Sequence, residues 1–269
     1  MPKRLSLRLA AINSNDLSKQ ALNFRLSQPS GPLSAFVQGI WSASVSELQA
    51  DSVVKPLYSD GGSGILFNLG TGVLIDNEPL PEGVIMLPVK KIAENITLSP
   101  GAKLAGIRFL PAIGYRVLGH HYNKPTLLSP KIDHRYNLYR VCSDLRSQNN
   151  NEALIETLYY WANDYLNFTN VIPSPLARAL ECIEQKEAPG QLNISFELSQ
   201  RQIERLFKLW LGITPKYYQR ILRIKKAICF LQIHKQAKLV DVAQQFGFSD
   251  QAHMTREFRA IACITPAKI

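Results

Sequence analysis

A pattern in the last quarter of the chain occurs twice, at a constant offset of 51 residues. Ser199, Gln200, Ile203, Arg205 and Phe207, then Ile213-Thr214-Pro215, return as Asp250, Gln251, Met254, Arg256 and Phe258, then Ile264-Thr265-Pro266. Each copy reads as a polar cap, an amphipathic helix with an exposed Arg, and a turn ending at Thr-Pro. Two such units about one linker helix apart suggest two helix-turn-helix modules that read one face of DNA.

In the first copy Ile203, Leu206, Phe207, Trp210 and Leu211 fall at i, i+3, i+4, i+7 and i+8, one buried stripe. Arg201, Glu204, Arg205 and Lys208 fall on the opposite face, and Ser199 is a suitable N-cap. A helix anchored by that stripe can present its N-terminal polar face to the major groove. There Arg can bridge guanine O6 and N7, and Glu can accept from cytosine N4. A merely solvated face is the plainer alternative.

In the second copy Leu239, Val240, Ala243 and Phe246 make a short apolar helix, and Gly247 follows where a tight turn needs positive φ. Ser249 and Asp250 both qualify as the next cap, and the repeat register selects Asp250. Met254, Phe258 and Ile261 then point inward, and Gln251, Thr255, Arg256 and Arg259 outward. Gln can read adenine, and Thr can touch a thymine methyl. His253 is read as packed or contacting phosphate rather than as a metal ligand.

Between the copies, Thr214-Pro215 caps and opens a helix running to about His234, with Tyr217 or Tyr218, Ile221, Ile224, Ile228 and Leu231 as its apolar stripe. Twenty helical residues span roughly 30 Å, close to the ~34 Å of one DNA turn. Arg220, Arg223, Lys225 and Lys226 decorate this helix and, with Lys208 and Arg259, are the candidate phosphate contacts. The charge distribution agrees. The chain of 269 residues carries a net charge of +10. Residues 1–170 hold 16 basic and 13 acidic side chains, and residues 171–269 hold 15 and 8. The excess that favours a polyanion therefore lies on the repeat.

The residues Phe246-Gly247-Phe248, Arg256, Phe258 and Ile264-Thr265-Pro266 resemble the signature of AraC/XylS-type transcription regulators, over roughly residues 173–269. The resemblance implies two helix-turn-helix motifs joined by a long helix and bound to promoter DNA. It implies base contacts from Gln200, Arg201, Glu204 and Arg205 in the first module, and from Gln251, His253, Thr255 and Arg256 in the second. Three positions depart from the family pattern. Pro189-Gly190 lies where the first supporting helix should begin, so that helix is expected to be short, anchored by Leu192, Phe196 and Leu198. Cys263 replaces the Gly that the first copy keeps as Gly212. The sequence stops at Ile269, just after Thr265-Pro266 would begin a last helix. Affinity is therefore expected to lean on the second module.

Residues of about 30–130 read as β-rich. Short apolar runs at 64–69, 73–75, 83–87, 96–98 and 104–110 are punctuated by Gly, Pro, Asp and Asn. That spacing suits a small barrel or sandwich. Gly61-Gly62-Ser63-Gly64 lacks the Lys-Ser/Thr of a phosphate loop and precedes a strand, so it reads as a turn. The runs around Leu66–Gly70, Pro100–Ala102 and Gly106–Ala112 resemble the cupin-like N-terminal domain of one AraC subgroup. That resemblance implies a sensor or assembly domain. Arg108, inside an apolar strand, either pairs with an acid of its own domain or holds an anionic ligand. Trp41 and Tyr58 either line a pocket or pack in a core.

The expected fold is α+β in two domains. Residues 1–170 form a cupin-like barrel or sandwich with a helical hairpin at about 135–168, which closes the barrel or forms a dimer surface. Residues 171–269 form an all-α double helix-turn-helix domain, and Asn167–Pro175 is the linker. The expected function is sequence-specific, DNA-binding transcription regulation. The partners are double-stranded promoter DNA and an unidentified small-molecule effector, with RNA polymerase contact (hence activation) and a homodimer as further expectations. Operator, effector and the sign of regulation stay open.

An enzyme is the competing class, a metal-dependent cupin fused to a DNA-binding tail. It needs a cluster that His120-His121 and the distant His134 do not make, so no metal, cofactor or catalytic residue is assigned. A DNA-repair protein would need a reactive Cys. Cys142, Cys182, Cys229 and Cys263 form no C-x-x-C pair and read as reduced structural thiols. An architectural DNA-binding protein would show little sequence preference. No apolar run approaches a membrane span and no secretory core follows the N-terminus, so a cytoplasmic location is expected.

Overall fold

The computed structural model describes residues 22–166, 172–185 and 198–269. Pro189-Gly190, Leu192 and Phe196, expected to shape the first supporting helix, lie outside the described residues, as does 167–171 of the expected linker.

The N-terminal part is built on two antiparallel sheets. One has six strands in the order β1 (Leu22–Ser27), β2 (Val37–Val45), β9 (Lys103–Phe109), β4 (Gly64–Asn68), β7 (Gly83–Leu87) and β10 (Thr126–Leu127). The other has four, in the order β3 (Val53–Leu57), β8 (Glu94–Leu98), β5 (Val73–Ile75) and β6 (Glu78–Pro79). Strand alternation sorts side chains between two cores. Leu66, Ile85 and Leu104 from the large sheet meet Val53, Val73, Ile96 and Leu98 from the small one. Ile65, Phe67, Val84 and Ile107 point to the other face, against helices.

Those helices are α1 (Ile113–Leu118), α2 (Leu138–Arg146) and α3 (Asn151–Tyr165). The pair α2–α3 is the expected hairpin, and α3 lies across β1, β2 and β9. Because β4 is buried on both faces, the large sheet needs a layer on each side. The result is a layered sandwich: of the two expected forms, barrel or sandwich, the barrel is corrected, because among the described residues no strand pairing joins the two sheets.

The C-terminal part is helical: α4 (Ser174–Glu184), α5 (Gln200–Leu211), α6 (Pro215–Ile233), α7 (Leu239–Gln245) and α8 (Gln251–Ala262), then a short 3-10 turn at Pro266–Lys268. Its core gathers Ile203, Phe207 and Leu211 of α5, Tyr218, Ile221 and Ile228 of α6, and Met254, Phe258 and Ile261 of α8. The N-terminal residues Ala112, Tyr58 and Val89 pack into the same core. Tyr58 is thus a packing residue between the two parts, and Trp41 packs in the core between the sheets.

Candidate nucleic-acid interface

The two repeat helices begin with local chemistry that fixes their first turns. Ser199 and Gln202 form a reciprocal capping box at α5: the Gln202 N–H donates to Ser199 Oγ (3.4 Å) and the Ser199 N–H to Gln202 Oε1 (2.8 Å). At α8 the cap is Asp250, whose carboxylate accepts the His253 N–H at 2.6 Å. That bond is the leading cause that holds the Asp250 carboxyl below its ordinary range. Thr214 caps α6 through the Tyr217 N–H (3.2 Å), with Pro215 in the first turn. Gly212, at φ 72°, ends α5 and Gly247, also at φ 72°, makes the turn from α7 to α8. Cys263 ends α8 in the same left-handed region at φ 56°.

Gln200, Arg201, Glu204, Arg205 and Lys208 are all exposed on α5. Gln200 Nε2 donates to Glu204 Oε1 (3.1 Å), one turn away on the same face. On α8, Gln251, Arg256 and Arg259 are exposed. Thr255 is half-buried and returns its hydroxyl to the Gln251 carbonyl (2.9 Å), which leaves the methyl as its available group. His253 folds back over the helix start. Its Nδ1 accepts the Ser249 N–H at 3.2 Å, and its ring stands edge-on to Phe248, with centroids 5.7 Å apart. Nδ1 is therefore an acceptor there, and Nε2 carries the proton. Among the described residues no hydrogen bond or ion pair holds Arg201, Arg205, Lys208, Arg256 or Arg259.

The basic residues of α6, expected as phosphate contacts, have neighbours within the protein. Arg220 donates to both oxygens of Glu257 on α8, and Arg223 lies 5.4 Å from the centre of the Phe248 ring. Lys226 Nζ donates to the Glu184 carbonyl (2.8 Å). Lys225 faces the N-terminal part: with the Gln38 amide oriented to satisfy both neighbours, Gln38 accepts from Lys225 Nζ (2.9 Å) and donates to Asp60 Oδ2 (3.1 Å). The reason is burial. Tyr218, Ile221, Leu222, Ile224, Ala227, Ile228 and Leu231 sit on several sides of this helix, so the cations between them are half-buried and find partners nearby.

The Asp60 cluster lies where the two parts meet. Arg108 Nε donates to Asp60 Oδ2 at 3.0 Å and Nη2 to Oδ1, and the Gly62 N–H adds a bond of 2.9 Å. Burial works to raise the Asp60 pKa. The Arg108 charge and hydrogen bonds outweigh it, helped by Lys225 and the Gly62 N–H, and hold it at about 2. Arg108 thus has a carboxylate partner of its own domain. Beside Asp60, Gly61 adopts φ 75° against the ring of the fully buried Tyr218, leaving no room for a Cβ. The Tyr218 hydroxyl donates to Glu184 (3.2 Å), and burial pushes its pKa well up.

Residues 194–269 match the family described as a helix-turn-helix domain. Over 64 residues the chain is 41% identical to the HTH-type transcriptional activator RhaS of Escherichia coli strains, including O139:H28 (strain E24377A / ETEC) and K12 / DH10B. The likeness to these regulators lies in the C-terminal region. The match covers 24% of this chain and 23% of each RhaS protein, so the chain spans about a quarter of the length of these curated relatives. Among solved structures, an AraC-type DNA-binding-domain regulator from Chromobacterium violaceum is 28% identical. The comparison covers 35% of this chain and 87% of that one, with a TM-score of 0.33. ToxT of Vibrio cholerae O395 is 12% identical over 93% of this chain and 96% of that one, with a TM-score of 0.42. Within the matched region α5 and α8 have exposed N-terminal polar faces, and α6 lies between them in sequence.

Several residues that shape this site carry no signal in the sequence. Glu257, Gln38, Asp60 and Ala93 act on partners far along the chain. His121 was legible only as half of an adjacent His pair. It lies in the loop after α1, where its Nε2 meets the Leu209 carbonyl at 2.6 Å.

Proposed function

We propose that this chain is a sequence-specific, double-stranded-DNA-binding transcription regulator that reads promoter DNA with α5 and α8. The observation that supports the reading most is the pairing of two capped helices, 51 residues apart in register, each with an exposed Arg that no hydrogen bond or ion pair holds among the described residues: Arg205 and Arg256. On this reading Gln200, Arg201, Glu204, Arg205, Gln251, His253, Thr255 and Arg256 face base edges, and Lys208 and Arg259 face phosphates. Arg220, Arg223, Lys225 and Lys226 act mainly in holding α6 in place. The N-terminal region, to about residue 170, is proposed as a regulatory domain that senses a small molecule or mediates assembly. Its support is the packed contact it makes with the C-terminal core. Activation through RNA polymerase contact, homodimerisation and a cytoplasmic location belong to the same proposal, with the RhaS activators as the precedent for the sign.

Selection of duplexes from a randomised pool by the full chain tests the reading. A recurrent two-part sequence, with parts about one helical turn apart, is expected. Tight binding without enrichment would point to an architectural protein, and absence of binding at low salt would sink the DNA reading.

A further inference from the structure

The N-terminal domain holds both reading helices, and it holds them at equivalent ends. The last carbonyls of an α-helix have no partner within the helix. At α5 the Leu209 carbonyl receives His121 Nε2 at 2.6 Å. A carbonyl oxygen only accepts, so Nε2 carries the proton. The His121 ring stacks on Tyr115 (centroids 4.9 Å apart), and Tyr115 meets Trp210 edge-on (5.2 Å). At α8 the Ile261 carbonyl receives the Ala93 N–H at 2.7 Å. Leu209 and Ile261 are 52 residues apart, one more than the repeat offset, so the two grips fall within one residue of the same place in the repeat. The left-handed residue that ends each helix faces the gripping residue in both cases. Gly212 sits beside the His121 ring, and Cys263 Sγ lies 3.6 Å from the Ala93 carbonyl. Between the grips, Tyr217 of α6 donates its hydroxyl to the Lys91 carbonyl (3.3 Å).

The geometry points to a brace: we propose that the N-terminal domain fixes the relative placement of α5 and α8 by capping both C-terminal ends, with His121 and Ala93 as positioning residues for DNA reading. The grips do not cover the reading residues. Gln200 precedes Leu209 by nine residues, ~13 Å of helix, and Gln251 precedes Ile261 by ten, ~15 Å. Both N-terminal faces stay exposed while the domains are docked. The docked arrangement is therefore competent to bind, and docking preorganises two helices that must enter one duplex together. The proposal rests on the DNA reading above.

The test uses the full chain and a duplex it selects from a randomised pool, together with the half of that duplex protected by the second module alone. His121→Phe keeps the ring stack and removes the donor. Binding of the full duplex is expected to weaken roughly three- to tenfold, the scale of one lost cap, with half-duplex binding unchanged. Unchanged or tighter binding of the full duplex overturns the brace, and an equal loss on the half-duplex overturns it in favour of general destabilisation. Ala93→Pro removes the other donor and should weaken both duplexes. Where that variant fails to fold, Ala93→Cys oxidised onto Cys263 supplies the second arm. The locked form should bind at least as tightly as its reduced form, and loss of binding reversed by dithiothreitol would make docking inhibitory and overturn the proposal. Hydrogen exchange without DNA separates the two layers. Faster exchange confined to the last turn of α5 in His121→Phe is expected, and its absence overturns the brace even if DNA is bound. A wild-type chain that selects no duplex overturns the DNA reading itself.

Discussion

Arg220 on α6 donates through Nε and Nη2 to the two carboxylate oxygens of Glu257 on α8, at 2.8 and 2.9 Å. The fork matches the carboxylate, so the pair fixes direction as well as distance between spacer and reading helix. Arg220 holds the Glu257 carboxyl below its ordinary range, chiefly through those hydrogen bonds. A cation expected at DNA phosphate thus has a carboxylate partner within the protein.

Arg220→Ala should accordingly lower stability by about 1–2 kcal/mol, measured by urea unfolding. It should change the salt dependence of DNA binding little. Lys208→Ala should do the reverse, reducing the slope of log K against log salt by about 1 with stability preserved. Equal slopes for the two variants would contradict this division.

Asp60 gives a pH dependence with a defined sign. Its pKa is about 2 in the folded chain against an ordinary 3.8. Folding favours the ionised form, so the stabilisation is complete above about pH 4 and is lost as pH falls through about 2. Asp60→Asn leaves Arg108, 16% exposed, without its charge partner. The variant should be less stable at pH 7 by about 2–4 kcal/mol, and the gap to wild type should narrow below about pH 4. Unfolding free energies measured from pH 7 to 2 check this, and a constant gap would rule it out.

Cys263 stands at φ 56°, a conformation that disfavours residues with a Cβ. Cys263→Gly should relieve that strain and raise stability by about 0.5–1 kcal/mol, an increase of a few degrees in melting temperature. A lower melting temperature would mean that the Sγ contact to the Ala93 carbonyl outweighs the strain.

What the sequence reveals here depends on how local the determining interaction is. The Asp250 and Ser199 caps and the Thr214-Pro215 start all act within three or four residues, and all are in place. Strands β4, β5 and β7 are nearly continuous apolar runs and fall where the runs lie. Strand β2 does not announce itself, because Gly39, Ser42 and Ser44 interrupt its pattern. Ser42 is buried nonetheless and donates to the Asn151 carbonyl (3.0 Å), 109 residues away. The Ala93–Ile261 grip is backbone to backbone, so no side chain advertises it. Non-local partners likewise set the role of Lys225, which shares Gln38 and Asp60 with the sandwich.

The two modules are expected to contribute unequally to DNA affinity. Arg205 and Arg256 occupy equivalent, exposed positions, and no hydrogen bond or ion pair holds either among the described residues. α8 is held by α7 through the Gly247 turn, by Arg220 through Glu257, and by Ala93 at its end. α5 is held at its end by His121, and Pro189-Gly190, where the sequence leads one to expect a short supporting helix, lies outside the described residues. A contact made by the more firmly held helix loses less to ordering on binding. Each Arg→Ala change should cost about 1–3 kcal/mol on a duplex selected by the wild-type chain. The loss at Arg256 should be the larger, and each variant should relax preference only in its own half of the site. Mobility-shift titrations at one fixed salt concentration measure this. Equal losses, or a larger loss at Arg205, would place the dominant reading helix in the first module.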